Sequence, residues 1–121
     1  MAAPCASEHA EQSAFVAWFR FQFPCVLIHS VPNGAALAGS PRLRAAQMAR
    51  LKEEGLFPGI PDLHIPALGL WVEMKRRHGG RLSPEQRHAI HQLKSIGDTV
   101  IVAKGFEAAK DAVLAHMRAG R

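Results

Sequence analysis

The alternation of apolar and polar residues divides the chain into eight segments. Ala14, Phe15, Trp18, Phe19 and Phe23 recur near a 3.6-residue period and predict a helix that opens at Glu8. Ser7 supplies its cap, Glu8 suits the positive end of its dipole, and Pro24 ends it. Cys25 to His29 is a short apolar run that predicts a strand, with Cys25 as a small buried hydrophobe. Val31 to Ser40 contains Pro32, Asn33, Gly34 and Gly39 and is a loop. Ser40 and Pro41 start a second helix that reaches Glu54 and stops at Gly55. Leu63 to Ile65 and Leu70 to Met74 alternate with period two around Pro66 to Gly69, as a β-hairpin does. Ser83-Pro-Glu-Gln86 is a capping-box pattern for a helix running to Ile96. Thr99 to Ala103 is β-branched and predicts a strand, and Phe106 to Met117 predicts a last amphipathic helix.

The predicted order is therefore α-β-α-β-β-α-β-α, an α/β fold with a mixed β-sheet flanked by helices. The 121 residues suit one domain, with residues 1–7 and 118–121 as loose tails. Hydrophobic residues make up 48% of the chain, enough for a core without disulfide staples. No apolar run approaches the ~18 residues that span a bilayer, and no secretory signal pattern opens the chain. A cytoplasmic protein without membrane contact is the expectation. The net charge of +5 biases its partners toward polyanions. No phosphate-cradling Gly-x-x-x-x-Gly-Lys-Ser/Thr occurs, so no nucleotide cofactor is expected.

The chemistry concentrates on the hairpin. Asp62 precedes its first strand, and Glu73 and Lys75 lie on its second. Residues two apart leave the same face of a strand, so a carboxylate and an ammonium emerge together while Val72 and Met74 face the other way. The fold-back of the hairpin brings Asp62 toward them. Phosphodiester hydrolysis needs hard oxygen ligands for Mg²⁺ or Mn²⁺, a group that positions water, and positive charge where negative charge develops. Asp62, Glu73 and the main-chain carbonyl of Met74 can supply the ligands, and Lys75 the charge. The competing reading of Glu73 and Lys75 is a salt bridge on a half-exposed sheet face.

Gly59-Ile-Pro-Asp62 followed by Val72-Glu-Met-Lys75 resembles the P-D…(D/E)-x-K nuclease superfamily. Glu8 to Gln12, His29-Ser-Val-Pro-Asn-Gly34, Leu51 to Gly55, Leu82-Ser-Pro-Glu-Gln86 and the strand up to Val102 narrow the resemblance to its VRR-NUC (virus-type replication-repair nuclease) branch. The resemblance runs from Glu8 to Met117. It implies a restriction-endonuclease-like core and Mg²⁺- or Mn²⁺-dependent cleavage of DNA. It also implies that a helix-one glutamate, Asp62, Glu73, Lys75 and Gln86 gather in one catalytic site. Glu8 matches that glutamate by lying four residues before Gln12, with Glu11 as its competitor one turn away. Gln86 also has a plain capping role open to it. Stand-alone viral and bacterial members resemble structure-selective nucleases of flap or Holliday-junction type that act as homodimers.

Asn33 can reach a substrate backbone or can simply make a turn. Arg76, Arg77 and Arg81 crowd the connection after Lys75, where a phosphate backbone passes if the site is catalytic; otherwise they form a solvated face. His88 and His91 share a helix face but lack a third ligand for zinc. Trp18 and Trp71 read as core rather than as base-stacking platforms. The alternatives to an enzyme are a non-catalytic nucleic-acid binding module on the same fold, or an accessory protein whose acids and lysine form only a salt-bridge network.

Overall fold

The computed structural model describes residues 5–32 and 37–120. Asn33 and Gly34, and with them the expectation about Asn33, lie outside the described residues. Helix α1 spans Glu8–Gln22, with the Ser7 hydroxyl accepting from the Ala10 amide at 3.0 Å. Its buried stripe of Phe15 and Phe19 is extended by Trp18 and Phe23 into a cluster of tilted and edge-on rings. The chain then turns instead of extending. The Val26 amide donates to the Phe23 carbonyl at 3.0 Å, and strand β1 is only His29–Ser30. Phe23 fills the place below the helix end, so Cys25 lies on the outside of the turn and is exposed, contrary to the sequence expectation. Ile28 alone of the 25–28 run is fully buried.

Helix α2, Pro41–Glu53, is capped by Ser40 and buries no residue. Strands β2, Leu63–Ile65, and β3, Leu70–Lys75, form the antiparallel hairpin through a short 3-10 turn at Pro66–Leu68. Helix α3, Pro84–Ser95, carries β3 over to the parallel strand β4, Thr99–Lys104. Helix α4, Phe106–Ala119, closes the fold and runs into the predicted C-terminal tail. The sheet order is β1-β2-β3-β4, antiparallel except for β3 with β4. This is the mixed, helix-flanked α/β architecture that the alternating pattern predicts.

Register decides what each face carries. Leu63 pairs with Val72 and Ile65 with Leu70, so these four side chains share the face covered by α1 and α4. All four are fully buried with Met74, Phe15, Phe19, Ala109 and Val113. Each large apolar side chain in this layer contributes roughly 1.5–3 kcal/mol over its exposed state. Trp71, Glu73 and Lys75 point to the opposite face. There α3 lays Ala89, Ile90 and Leu93 against the sheet. A charged pair is thus held on the central strand by apolar packing behind it and a helix N-terminus before it.

Candidate metal centre and active site

Both faces of β3 are enclosed. Glu73 is 1% exposed and Lys75 8%, which rules out a half-exposed surface pair. Burial of two charges is costly unless each finds partners. Most of those partners come from α3. Gln86 donates from Nε2 to Glu73 Oε2 at 3.0 Å and accepts at Oε1 from Lys75 Nζ at 3.1 Å. Lys75 Nζ itself stands 3.6 Å from Glu73 Oε2. The same Gln86 Oε1 accepts from the Ser83 amide at 2.9 Å and completes the capping box. The two roles weighed for Gln86 in the sequence therefore coexist: the cap fixes the residue, and its amide bridges acid and lysine.

Asp62 approaches from the neighbouring strand. Its Oδ2 accepts from the Met74 amide at 2.9 Å, between the two charged residues of β3. The Val31 amide donates to the Asp62 carbonyl at 2.8 Å and ties the end of β1 to the same spot. Gly59 lets the chain reach this position. A Cβ there would meet the carbonyl carbon and oxygen of Glu85 at 2.4 Å, and its φ is +82°. Only glycine lets the Gly59-Ile-Pro-Asp62 segment lie directly on the first turn of α3. A Cβ at Gly80 would likewise meet the Lys75 Cβ at 2.9 Å, so the connection after β3 lies close over the lysine stem.

Glu8, in the first turn of α1, completes the group. Carboxylate oxygens of Glu8, Asp62 and Glu73 lie within 4.8 Å of one another. Three like charges at this spacing repel strongly where water is scarce. Accordingly the Glu73 carboxyl is pushed up to about 8, first by burial and then by the Asp62 charge, with Lys75 pulling the other way. Glu73 Oε1 is buried without a hydrogen-bond donor. Its neighbour Asp62 is another carboxylate and cannot donate to it when ionised, so a shared proton, a water or a cation is needed to join the two. An orphaned buried oxygen, two further carboxylates and no sulfur or imidazole ligand make a donor set that suits a hard divalent cation. Zinc-type ligation by His88 and His91 is not formed: both are exposed, and neither belongs to the group of potential ligands.

Glu11 does something the sequence did not suggest. It is 4% exposed and stays outside the carboxylate group. Its Oε1 accepts from the Phe106 amide at 2.9 Å, and its Oε2 accepts from Arg77 Nε at 2.8 Å. The Phe106 amide, foremost, and then Arg77 hold the carboxyl below the usual range against the opposing effect of burial. Arg77 is thereby tied to α1, while Arg76 and Arg81 are exposed on the connection. Along the site's own face, His64 stacks on Trp71 with centroids 3.8 Å apart and meets His29 at 3.2 Å between ring nitrogens. Trp71 donates to Asp98 Oδ2 at 2.9 Å. Trp18 is half-buried among the phenylalanine rings.

The whole architecture has a counterpart among solved structures. A chain described as a "VRR_NUC domain protein" superposes with a TM-score of 0.74 over 98% of this chain and 93% of its own, at 21% sequence identity. The chain has the VRR-NUC fold. No family model matches the sequence, and no curated protein matches it. The likeness thus resides in the path of the backbone. Within this VRR-NUC fold, the hairpin and the first turns of α1 and α3 converge on the buried acid and lysine described above.

Proposed function

We propose that the protein is a divalent-metal-dependent nuclease that hydrolyses phosphodiester bonds of DNA. The observation that carries this reading is Glu73: a buried carboxylate with one oxygen lacking a donor, grouped with Asp62 and Glu8 and two residues from a buried lysine. A structural salt bridge has no need of two extra acids, and a binding module gains nothing from acids that repel its phosphate. Asp62 and Glu73 are the proposed metal ligands, joined by Glu8 and the Met74 main-chain carbonyl. Mg²⁺ or Mn²⁺ held there would offset phosphate charge and lower the pKa of water. Lys75, held by Gln86, is positioned to orient the attacking water and to stabilise charge that develops on the phosphate. Arg76 and Arg81 are the proposed contacts to the flanking backbone, and Arg77 shares this only while keeping its bond to Glu11.

The resemblance of the sequence supports a finer reading: an endonuclease selective for flaps or four-way junctions, acting as a homodimer on DNA within the cell. No described helix is long and apolar enough to cross a membrane. The test is cleavage of labelled linear, flap and four-way-junction DNA with Mg²⁺, Mn²⁺ or EDTA, beside a Glu73→Ala control. Metal-dependent cutting that Glu73→Ala abolishes is the expected result. Cutting that survives in the mutant, or none by the folded wild type on any substrate, would overturn the assignment.

A further inference from the structure

Lys75 has a second lysine beside it. Strands β3 and β4 run parallel with Lys75 opposite Lys104, so the two side chains leave the same face of the sheet. Like charges placed opposite one another on neighbouring strands repel, and the fold gains nothing from them. Lys75 is answered by Gln86 and Glu73. Lys104 is exposed and, among the described residues, its side chain makes no ion pair.

The acids that could neutralise it are committed elsewhere. Glu73 faces Lys75, Glu11 holds Arg77 and the Phe106 amide, and Glu107 pairs with Lys110 at 3.3 Å. Arg77 also packs over Gly105, the residue after Lys104, where a Cβ would meet its Nε at 3.1 Å. The ends of β3 and β4 thus gather Lys75, Arg77 and Lys104, and the Lys104 charge is turned to solvent. The sheet beside it is open. Val102, the register partner of buried Glu73, is 42% exposed, so the site's face is uncovered where it crosses onto β4. Building on the nuclease reading, we propose that Lys104 is a further substrate-positioning residue, whose ammonium binds a backbone phosphate flanking the one that is cut. The two lysines divide the work. Lys75, turned inward onto Gln86, serves the reacting phosphate, and Lys104, turned outward, holds the strand. A polyanion lying across both offsets the repulsion that the free protein carries.

The test is fluorescence anisotropy of labelled duplex DNA over a series of salt concentrations. It is run in EDTA, and again with Mg²⁺ in the Glu73→Ala background, so that binding is read without cutting. Lys104→Ala should lower the salt slope by about 0.9, the value of one phosphate contact, which amounts to about eightfold in affinity at 0.1 M salt when the 1 M limit is unchanged. Lys104→Arg should keep both. Lys94→Ala is the control for net charge. Lys94 is exposed in the last turn of α3, at the other end of β4, a strand roughly 17 Å long. That variant should bind as the wild type does. The melting temperature of Lys104→Ala should not fall, because its removal relieves the repulsion with Lys75. Unchanged affinity and slope in Lys104→Ala, a loss equal to that of Lys94→Ala, or no DNA binding by the folded protein in either condition would overturn the proposal. Self-association of Lys104→Ala with unchanged DNA binding would make the lysine a guard of the open β4 edge instead. Cleavage assayed on the same preparations separates the two readings. Wild type that cuts while Lys104→Ala binds normally would sink the phosphate contact alone. Wild type that binds through Lys104 but never cuts would sink the nuclease and leave the contact standing.

Discussion

Glu11 on α1 and Arg77, just past the end of β3, are joined by a 2.8 Å bond across 66 residues of sequence. The same carboxylate holds the first amide of α4. One buried acid therefore fixes α1, the basic connection and the start of α4 against each other. Because Glu8 stands one turn before Glu11, this clamp also sets where the Glu8 carboxylate lies. Gly105 permits it, since a Cβ there would meet the Arg77 Cγ at 2.7 Å.

Removing the clamp should cost stability in a pH-dependent way. Glu11→Ala leaves the Phe106 amide and the guanidinium without their acceptor, a loss of about 1.5–3 kcal/mol for a bond to a charged group. The Glu11 carboxyl is held below its ordinary value of 4.5. Its contribution is therefore present above that value and fades as pH falls through the depressed folded one. Urea titrations at neutral and acid pH check this. Wild type and Glu11→Ala should converge as the pH drops well below 4.5.

The opposite sign is expected at Glu73. Its folded carboxyl is raised from 4.5 to about 8, so in the metal-free protein the folded state retains a proton that the unfolded chain releases. Stability from this group is fully present below 4.5 and is lost as pH rises toward about 8. Thermal melts in EDTA across this range should show the decline, and Glu73→Gln should flatten it. Mg²⁺ or Mn²⁺ competes with the same proton, so the stabilisation that either gives should grow with pH over this interval. A metal effect independent of pH would place the cation elsewhere.

Gly59 and Gly97 offer a matched comparison. Both have positive φ, +82° and +95°, but a Cβ at Gly97 meets nothing within 4 Å. Gly97→Ala should cost only the strain of the left-handed region, roughly 1–2 kcal/mol. Gly59→Ala adds a collision with the α3 backbone, for which overpacking typically costs a further ~1–3 kcal/mol. It should also push Gln86 away from Glu73, so any DNA cleavage should fall in Gly59→Ala and hold in Gly97→Ala. Chemical denaturation and a cleavage assay on the same two variants decide the matter.

Most of the fold was legible because its signals are local. Ser7, Ser40 and Ser83 mark the first three helix starts, and period-two alternation marks the hairpin. The approach of Asp62 to Glu73 and Lys75 was legible for the same reason, since the hairpin folds them together, whereas the arrival of Gln86 beside them was legible only through the family resemblance, its local signal being the helix cap. What sequence could not supply is long-range. Cys25 follows an apolar pattern, yet the turn after Phe23 puts it outside. Glu11 looks like any first-turn acid, because its partners Arg77 and Phe106 are remote in the chain. The choice between Glu8 and Glu11 for the carboxylate group is likewise geometric. A helix periodicity allows either, and only the docking of α1 on the sheet turns Glu8 toward Asp62 and Glu73.

Gln86 separates folding from chemistry most cleanly, because its two roles respond differently to two substitutions. Gln86→Ala removes the reach back to the Ser83 amide and leaves Glu73 and Lys75 without their bridge. It should lower stability and activity together. Gln86→Glu retains an oxygen for the Ser83 amide and for Lys75, and a glutamate completes a capping box equally well. What it loses is the donor to Glu73 Oε2, replaced by a carboxylate at the 3.0 Å position. The stability cost in the presence of metal should therefore be smaller than for Gln86→Ala. Metal affinity or cleavage should fall about 10- to 100-fold, the usual effect of disturbing a group that orients a metal ligand. Calorimetric metal titration, denaturation curves and cleavage rates on the two variants give the comparison. If Gln86→Glu cuts DNA and binds metal as the wild type does, the Gln86–Glu73 bond is dispensable and Gln86 serves only the helix cap.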